Sequence, residues 1–435
     1  MVAETEEKNR ISRRKFLGNA VALSAFFIVP RHVLGGKGFI PPSDMITLGF
    51  IGAGRQAISL QRSFLNTSEA KIIAACDVYK TKLDSFTKQV NTFYANKAEK
   101  TDYKGCTPYS NFMELLDNRE TDAVVIATPD HWHAAMVVRA AKAGKDIYSE
   151  KPLSLTVAEG RAMVDAVNKY KRVFQTGSMQ RSMPEFRKTA ELIRNGYLGD
   201  LTSIKVSIGG PPVPYNLPEE PLVAGLDWDN WLGPNEYVHF NHQLNPALGD
   251  PIWARWRDFK GLGGGGMTDW GAHMFDIVQW ALDMDRSGPV EIIPPNGKDV
   301  TALTYRYENG LKMTKEDFGK KNAILFTGTQ GQLEVQRGSF VTTPASIKDK
   351  VIGANEKQVY HSDNHYKDFL NAIQKRSLPI SDIETGHRSA TVCNIGNIAY
   401  ELNRPLKWDP KKEKFKNDKE ANKLLSRNLR KEWDV

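Results

Sequence analysis

From Met45 to about Val173 the chain alternates short apolar runs with longer stretches in which apolar residues recur every three or four positions. The short runs are Ile46–Ile51, Lys71–Cys76, Ala123–Ala127 and Asp146–Ser149. Continuous apolar character over so few residues predicts strands buried on both faces. The longer stretches, such as Asn111–Leu116 and Ala134–Ala143, predict helices. Strands alternating with helices imply a parallel sheet covered on both sides, an α/β unit. After Gly177 the period changes. Pro184–Asn195 predicts a helix closed by Gly196, Leu201–Ile208 alternates like a half-exposed strand, and Pro211–Pro221 is an extended loop. Val300–Tyr307, Lys312–Glu316, Ala323–Thr327 and Gln332–Gln336 also alternate, with Asn309-Gly310 and Gln330-Gly331 as turn signals between them. These runs predict a largely antiparallel open sheet in an α+β second domain. Two more helices are predicted near His365–Gln374 and Thr385–Leu402. The domains expected are 41–175 and 176–404, flanked by segments 1–40 and 405–435.

A length of 435 residues exceeds one compact core and suits two. With 40 % hydrophobic and 25 % charged residues, the composition is that of a globular protein. No internal stretch reaches the roughly 18 apolar residues of a membrane span. The net charge of +8 sits at the ends. Residues 1–40 hold seven basic and three acidic residues, and residues 405–435 hold ten and six. The body is therefore near neutral, which argues against a nucleic-acid partner, and Lys411-Lys412-Glu413-Lys414-Phe415-Lys416 reads as a solvated basic tail. Ser12-Arg13-Arg14-Lys15-Phe16-Leu17 precedes the short apolar run Gly18–Val29. This is the layout of a secretory signal, and the arginine pair resembles a twin-arginine (Tat) signal. It predicts a periplasmic or otherwise exported protein; an amphipathic start to a cytoplasmic one is the alternative. Cys76, Cys106 and Cys393 form neither a metal spacing nor a disulfide framework.

The first predicted strand runs into Gly52-Ala53-Gly54-Arg55-Gln56-Ala57, a G-x-G-x-x-A at a strand-to-helix junction. The first Gly permits the tight turn, the second lets backbone approach a pyrophosphate, and Ala57 lets helix and strand pack closely. The free N–H groups of the helix start, around Arg55 and Gln56, favour phosphate. Asp77 ends the second strand 20 residues after Ala57. A carboxylate there accepts hydrogen bonds from ribose hydroxyls and repels a 2′-phosphate, so a Rossmann site for NAD rather than NADP is expected.

Farther on, Ala127-Thr128-Pro129-Asp130-His131-Trp132-His133 is followed by Glu150-Lys151-Pro152 and then by Thr268-Asp269-Trp270-Gly271-Ala272-His273. Together these resemble the Gfo/Idh/MocA oxidoreductases over roughly residues 44–410. In that family the Lys-Pro pair closes the Rossmann part and its Lys sits near nicotinamide and substrate; a later D-x-x-x-H motif matches Asp269 and His273. Gly386-His387-Arg388-Ser389 and the segment ending Leu424-Leu425 look like an exported bacterial branch. The resemblance implies Thr128, Pro129 and Glu150 near the cofactor, a sugar or polyol substrate, a homo-oligomer and no metal.

Hydride transfer from a carbinol needs a base for the hydroxyl proton and stabilisation of the oxyanion. Lys151 serves either need, because an amine desolvated beside a positive nicotinamide is a base near neutrality. On one helix, Asp269 and His273 would share a face, with Thr268 as N-cap and Asp269 in the first turn. His273 would pass the proton and Asp269 orient it or bind a sugar hydroxyl. The glycine run Gly261–Gly266 lets backbone approach a ligand, or is a flexible loop. His133, at the carboxyl edge of the parallel sheet, is expected on the cofactor and His131 on the substrate, against the alternative that both cap a helix start. In the loop with Trp228, Trp231, Trp253, Trp256 and Arg257, Tyr215 and Arg255 are the candidate sugar contacts. Three activities remain open. One is an NAD-dependent sugar dehydrogenase. Another is a redox-neutral glycosidase or lyase that oxidises a sugar hydroxyl, eliminates across the acidified C–H and takes the hydride back. The third is a non-catalytic sugar-binding protein.

Overall fold

The computed structural model describes residues 45–99 and 103–433. The export signal expected over residues 1–40 lies outside them. The first sheet has six parallel strands, β1 (Ile46–Ile51), β2 (Ala70–Cys76), β3 (Thr107–Tyr109), β4 (Ala123–Ile126), β5 (Asp146–Ser149) and β6 (Phe174–Thr176). Their spatial order is β3-β2-β1-β4-β5-β6. The order reverses between β1 and β4, and a ligand crevice opens at the carboxyl ends of strands at such a switch point. Every residue of β4 is buried, as strands covered on both faces require. The covering helices are α1 (Arg55–Leu65), α2 (Lys80–Ala98), α3 (Phe112–Asp117), α4 (His133–Lys142) and α5 (Val157–Lys169). Strands β3 and β6 escape the sequence pattern: each has three residues, and Thr107-Pro108-Tyr109 is an exposed edge without apolar character.

The chain then forms α6 (Pro184–Arg194), β7 (Leu201–Ser207), α7 (Trp228–Leu232), α8 (Gly266–Asp269) and α9 (Gly271–Ala281). Six strands follow, β8 (Glu291–Ile293), β9 (Leu303–Arg306), β10 (Lys312–Lys315), β11 (Ala323–Gly328), β12 (Gly331–Gln336) and β13 (Ser339–Thr343). Helices α10 (His365–Lys375) and α11 (Ile383–Leu402) precede β14 (Leu406–Asp409), β15 (Lys414–Phe415) and α12 (Lys419–Lys423). The nine-stranded sheet runs β13-β12-β11-β7-β10-β9-β8-β14-β15. Every neighbouring pair is antiparallel except β7 with β10. Ile204, Val206, Tyr305, Met313, Ile324 and Phe326 point to one face and pack under α6, α9 and α11. Residues of the opposite register, including Lys205, Thr304, Arg306 and Thr314, stay partly exposed, so one face is open. All eleven residues of α9 are buried, which suits its apolar composition. Arg181 fixes this helix from below, 2.8 Å from Asp276 and 2.7 Å from Asp285, with the Arg181 and Asp276 side chains 1 % exposed.

Residues 405–433 are not a solvated basic tail. Leu406 and Lys407 pair with β8, Trp408 is 1 % exposed, and Phe415 is buried beneath it. The lysines alternate with apolar residues because they form the outer face of the last two strands of the sheet. Helix α10 also crosses back: Phe369 and Leu370 pack in the core of the first sheet against Phe64 and Tyr148.

Candidate active site

At the switch point a cavity of about 460 Å³ runs along the carboxyl ends of β1, β2, β4 and β5. One wall is the glycine turn. Gly52 takes φ +98°, and a Cβ there would lie 2.6 Å from the Ala127 carbonyl oxygen, so this position requires glycine. Gly54 is the N-cap of α1 and offers its first turn no side-chain cap. A Cβ on Gly54 would meet no atom within 4 Å: it points into the open cavity. An uncapped helix start with open space before it fits a pyrophosphate. Asp77 lies beside this turn. Its Oδ2 accepts from the Ala53 N–H at 2.7 Å and its Oδ1 from the Tyr79 N–H at 2.8 Å. These bonds hold the carboxylate against the cavity, whose lining also includes Val78, Lys82, Ser110 and Asn111.

At the other end β5 delivers Glu150 and Lys151. Glu150 accepts from the Gln56 side chain at 2.9 Å, tying the α1 start to β5. Lys151 Nζ donates to Asp269 Oδ1 at 2.7 Å and to the Asp269 carbonyl at 2.9 Å. That carbonyl is free because the helix breaks at Trp270: His273 N donates to the Trp270 carbonyl instead. Thr268 is therefore not an N-cap, and Asp269 ends a short helix rather than starting a long one. Two of the three Lys151 ammonium protons are engaged, leaving one for a ligand. Arg257 Nε lies 3.7 Å from Asp269 Oδ1, its guanidinium stacked on Trp256 at 4.1 Å and Trp253 at 4.7 Å. Burial pushes the Asp269 carboxyl up, but Lys151 and Arg257 outweigh it and hold it below the ordinary value. His273 is 5 % exposed, and burial, with Lys151 and Arg337 nearby, holds it well below an ordinary histidine. Its Nε2 accepts from Arg337 at 3.0 Å, and its buried Nδ1 has no partner among the described residues.

Two family models match the chain: "Oxidoreductase family, NAD-binding Rossmann fold" over residues 46–178, and "Oxidoreductase family, C-terminal alpha/beta domain" over residues 213–435. The chain belongs to the Gfo/Idh/MocA oxidoreductase family. Its first sheet is the family's NAD-binding Rossmann domain. Among curated relatives it is 28 % identical over 209 residues to a glycosyl hydrolase family 109 protein of Shewanella putrefaciens, covering 44 % of this chain and 45 % of that protein. It is 26 % identical over 234 residues to the rhizopine catabolism protein MocA of Rhizobium meliloti, covering 54 % and 56 %. The chain thus matches about half the length of these relatives. Among solved structures it resembles aldose-aldose oxidoreductase from Caulobacter crescentus, with a TM-score of 0.57 and 17 % identity over 83 % of this chain and 99 % of that one. It also resembles the WlbA dehydrogenase from Bordetella pertussis in complex with NADH and UDP-GlcNAcA, with a TM-score of 0.56 and 16 % identity over 84 % and 98 %.

Within this Gfo/Idh/MocA chain, Gly52, Gly54, Arg55, Gln56, Asp77, Thr128, Pro129, Glu150 and Lys151 all line the one cavity. Asp269 joins it through Lys151, and His273 stands behind Asp269 on the next helix. Four expected contacts fall elsewhere. His133 is fully buried, with Nδ1 2.8 Å from the Pro152 carbonyl and Nε2 3.1 Å from that of Thr128. Both nitrogens face backbone carbonyls of two cavity-wall loops, and His133 does not line the cavity. His131 is spent in the same way, on the carbonyls of Trp231 at 3.0 Å and Leu262 at 3.3 Å. Burial pushes His131 down to about 3 and His133 to about 4, so each is a neutral structural imidazole that donates to one of the two carbonyls it faces. Tyr215 donates to the His239 carbonyl and packs on Phe259 in a small core built on the stacked pair Trp228 and Trp231. Arg255 faces outward to Asp258 and Gln243. Its neighbour Arg257 enters the site instead. The glycine run does not line this cavity: Gly265 and Gly266 abut the backbone of Gly209–Pro212, and Gly263 that of Arg257. Among the described residues no cluster of three His, Cys, Asp or Glu is arranged for a metal.

Sequence reasoning passed over Asp130. It lines the cavity, is 3 % exposed, and its carboxyl accepts no hydrogen bond among the described residues. Burial, with the Asp269 and Glu150 charges, outweighs Arg257 and Lys151 and pushes its carboxyl up to about 8. The folded protein therefore keeps a proton that the unfolded chain has lost near pH 4. Stability contributed by this group falls as pH rises from there towards 8. Asp130→Asn is expected to raise the melting temperature of the cofactor-free protein by several degrees at pH 8 and by less at pH 5. Melting curves at the two pH values check this; an equal shift at both would refute the assignment.

Proposed function

We propose that this protein is an NAD-dependent oxidoreductase acting on a hydroxyl of a sugar or sugar-derived substrate, with NAD held as a tightly bound cofactor. One observation carries the reading: Lys151, bonded to Asp269, stands in the same cavity as an uncapped helix start and the ribose-side carboxylate Asp77. NAD, when bound, supplies the hydride acceptor. Lys151 Nζ then holds the substrate oxygen, and Asp269 fixes that ammonium by two hydrogen bonds. Neutral His273 takes or donates a proton from behind Asp269. Trp253, Trp256 and Arg257 offer the mixed aromatic and polar lining that suits a sugar.

A second reading is a redox-neutral glycosidase or lyase working through a transient keto-sugar. The glycosyl hydrolase relatives support it, as does Asp130, a carboxylic acid protonated near neutrality and so able to protonate a leaving oxygen. Export through a twin-arginine route, supported by Arg13-Arg14, fits either reading. Free NAD is scarce outside the cytoplasm, so a resident cofactor regenerated in each turnover suits it. A homo-oligomer formed through the open face of the second sheet completes the proposal; sedimentation velocity checks that part. A panel of free sugars, polyols and aryl glycosides, tested on enzyme of defined NAD content, separates the activities. The first reading expects net NADH without aglycone release, and the second expects release without net NADH. Neither signal across the panel, from enzyme shown to hold NAD, would leave only a non-catalytic sugar-binding protein.

A further inference from the structure

Among the residues lining the cavity is one far from every motif, Trp433. Its indole packs edge-on against Trp132 at 4.7 Å and lies 5.9 Å from Phe112 at a 32° tilt. Both partners also line the cavity, at the end that holds Ser110, Asn111 and Asp77. Trp132 is a fixed floor: its Nε1 donates to the Trp231 carbonyl at 2.9 Å, and Gly233 presses on its ring. We propose that Trp433 closes the adenine slot of the NAD site, and that the segment Leu424–Trp433 is a clamp that retains the cofactor. This rests on the reading of the cavity as the NAD site.

The clamp is built by basic residues that look like solvated charge in the sequence. Arg427 donates to Glu159 at 2.8 and 3.0 Å and to the His131 carbonyl at 3.1 Å. Arg430 reaches Asp229 at 2.6 Å, and its backbone N–H reaches the Pro234 carbonyl at 3.0 Å. Arg139, on α4, donates to the Glu432 carbonyl at 2.7 Å and stacks its guanidinium 5.0 Å from the Trp433 ring centre. Arg427 and Arg430 are therefore fixed to the body, and Arg139 fixes the indole. Beside it, Phe112, Met113, Trp132 and Met136 add aromatic and apolar surface to the same cavity. A flat, weakly polar slot beyond the ribose carboxylate suits a purine, whose faces stack on aromatics and whose edges meet Ser110 and Asn111.

Removing an aromatic contact to a base weakens binding by about tenfold to a hundredfold. The test loads the full-length protein with NADH and chases it with excess NAD+, following NADH fluorescence in a stopped flow. Trp433→Ala is expected to speed NADH release at least tenfold, and Trp433→Phe to stay within threefold of wild type. Arg139→Ala, which frees the indole without touching the cavity, is expected to speed release at least threefold. It remains informative if Trp433→Ala fails to fold. Release from Trp433→Ala or, failing that, Arg139→Ala at less than twice the wild-type rate overturns the clamp while leaving the NAD site intact. If wild type takes up no NADH, the NAD site itself fails and the clamp with it.

Discussion

Lys151→Ala is expected to lower kcat by about 10²–10⁴-fold while NAD affinity stays within about threefold of wild type. The separation follows from where the side chain points. The Lys151 backbone belongs to the wall shared with Glu150, but its ammonium leaves the cofactor surface for Asp269, 2.7 Å away. The dinucleotide contacts formed by the Gly54 turn and Asp77 do not involve it. On the proposed mechanism the amine meets the reacting oxygen, so its loss removes that contact, and it leaves Asp269 with Arg257, at 3.7 Å, and Arg337 as its cationic neighbours. A carboxylate stripped of its nearest cation beside a developing oxyanion adds repulsion to the lost stabilisation. Lys151→Arg should recover little: a planar fork cannot satisfy the Asp269 carbonyl and carboxylate while also presenting a donor forward. Steady-state kinetics on the best substrate from the panel, with NADH titration alongside, is the measurement. A variant that binds NADH and turns over within fivefold of wild type would remove Lys151 from the reaction.

The contrast between Lys151 and His133 shows what the sequence carries and what it withholds. The strand, the glycine turn and the helix after it are set by local apolar period and local φ requirements, so the Rossmann half and Asp77 were legible from residues alone. Lys151, Asp269 and His273 came from the resemblance. His131 and His133 sit on the correct edge of the sheet, yet their nitrogens are consumed by the carbonyls of Trp231, Leu262, Thr128 and Pro152. Three of these are at least 19 residues away and invisible to any local pattern. Arg255 and Arg257 are two positions apart on one tight turn, and nothing in their spacing says which turns inward. The Asp269 and His273 spacing fits a continuous helix as well as a broken one. The break at Trp270, which frees the carbonyl that Lys151 uses, is decided by packing. The last thirty residues misled for the opposite reason: alternating lysines on the last two strands of the sheet mimic a solvated tail, and their apolar partners Trp408 and Phe415 have the period of a strand only when that alternation is taken seriously.

Asp77→Ala is expected to reverse the preference between the two nicotinamide cofactors. In the wild type the carboxylate is anchored by the Ala53 and Tyr79 N–H groups, and each oxygen keeps a lone pair for a ribose hydroxyl. Two charge-assisted hydrogen bonds are lost in the variant, which weakens NAD by about 10²–10³-fold. The same change removes the repulsion that excludes a 2′-phosphate. It also strips Lys82 of the charge it faces: Lys82 lines the cavity beside Asp77, and its nearest polar partner becomes the neutral Asn245 side chain. A 2′-phosphate would then meet an ammonium where the wild type presents a carboxylate, so NADP affinity should rise at least tenfold. Fluorescence titration of both reduced cofactors against wild type, Asp77→Ala and the double variant Asp77→Ala/Lys82→Ala decides it. The double variant should lose the NADP gain without recovering NAD. If NADP binding does not improve in the single variant, the carboxylate at the end of β2 is not what sets cofactor choice, and the adenosine end of the site must be reassigned.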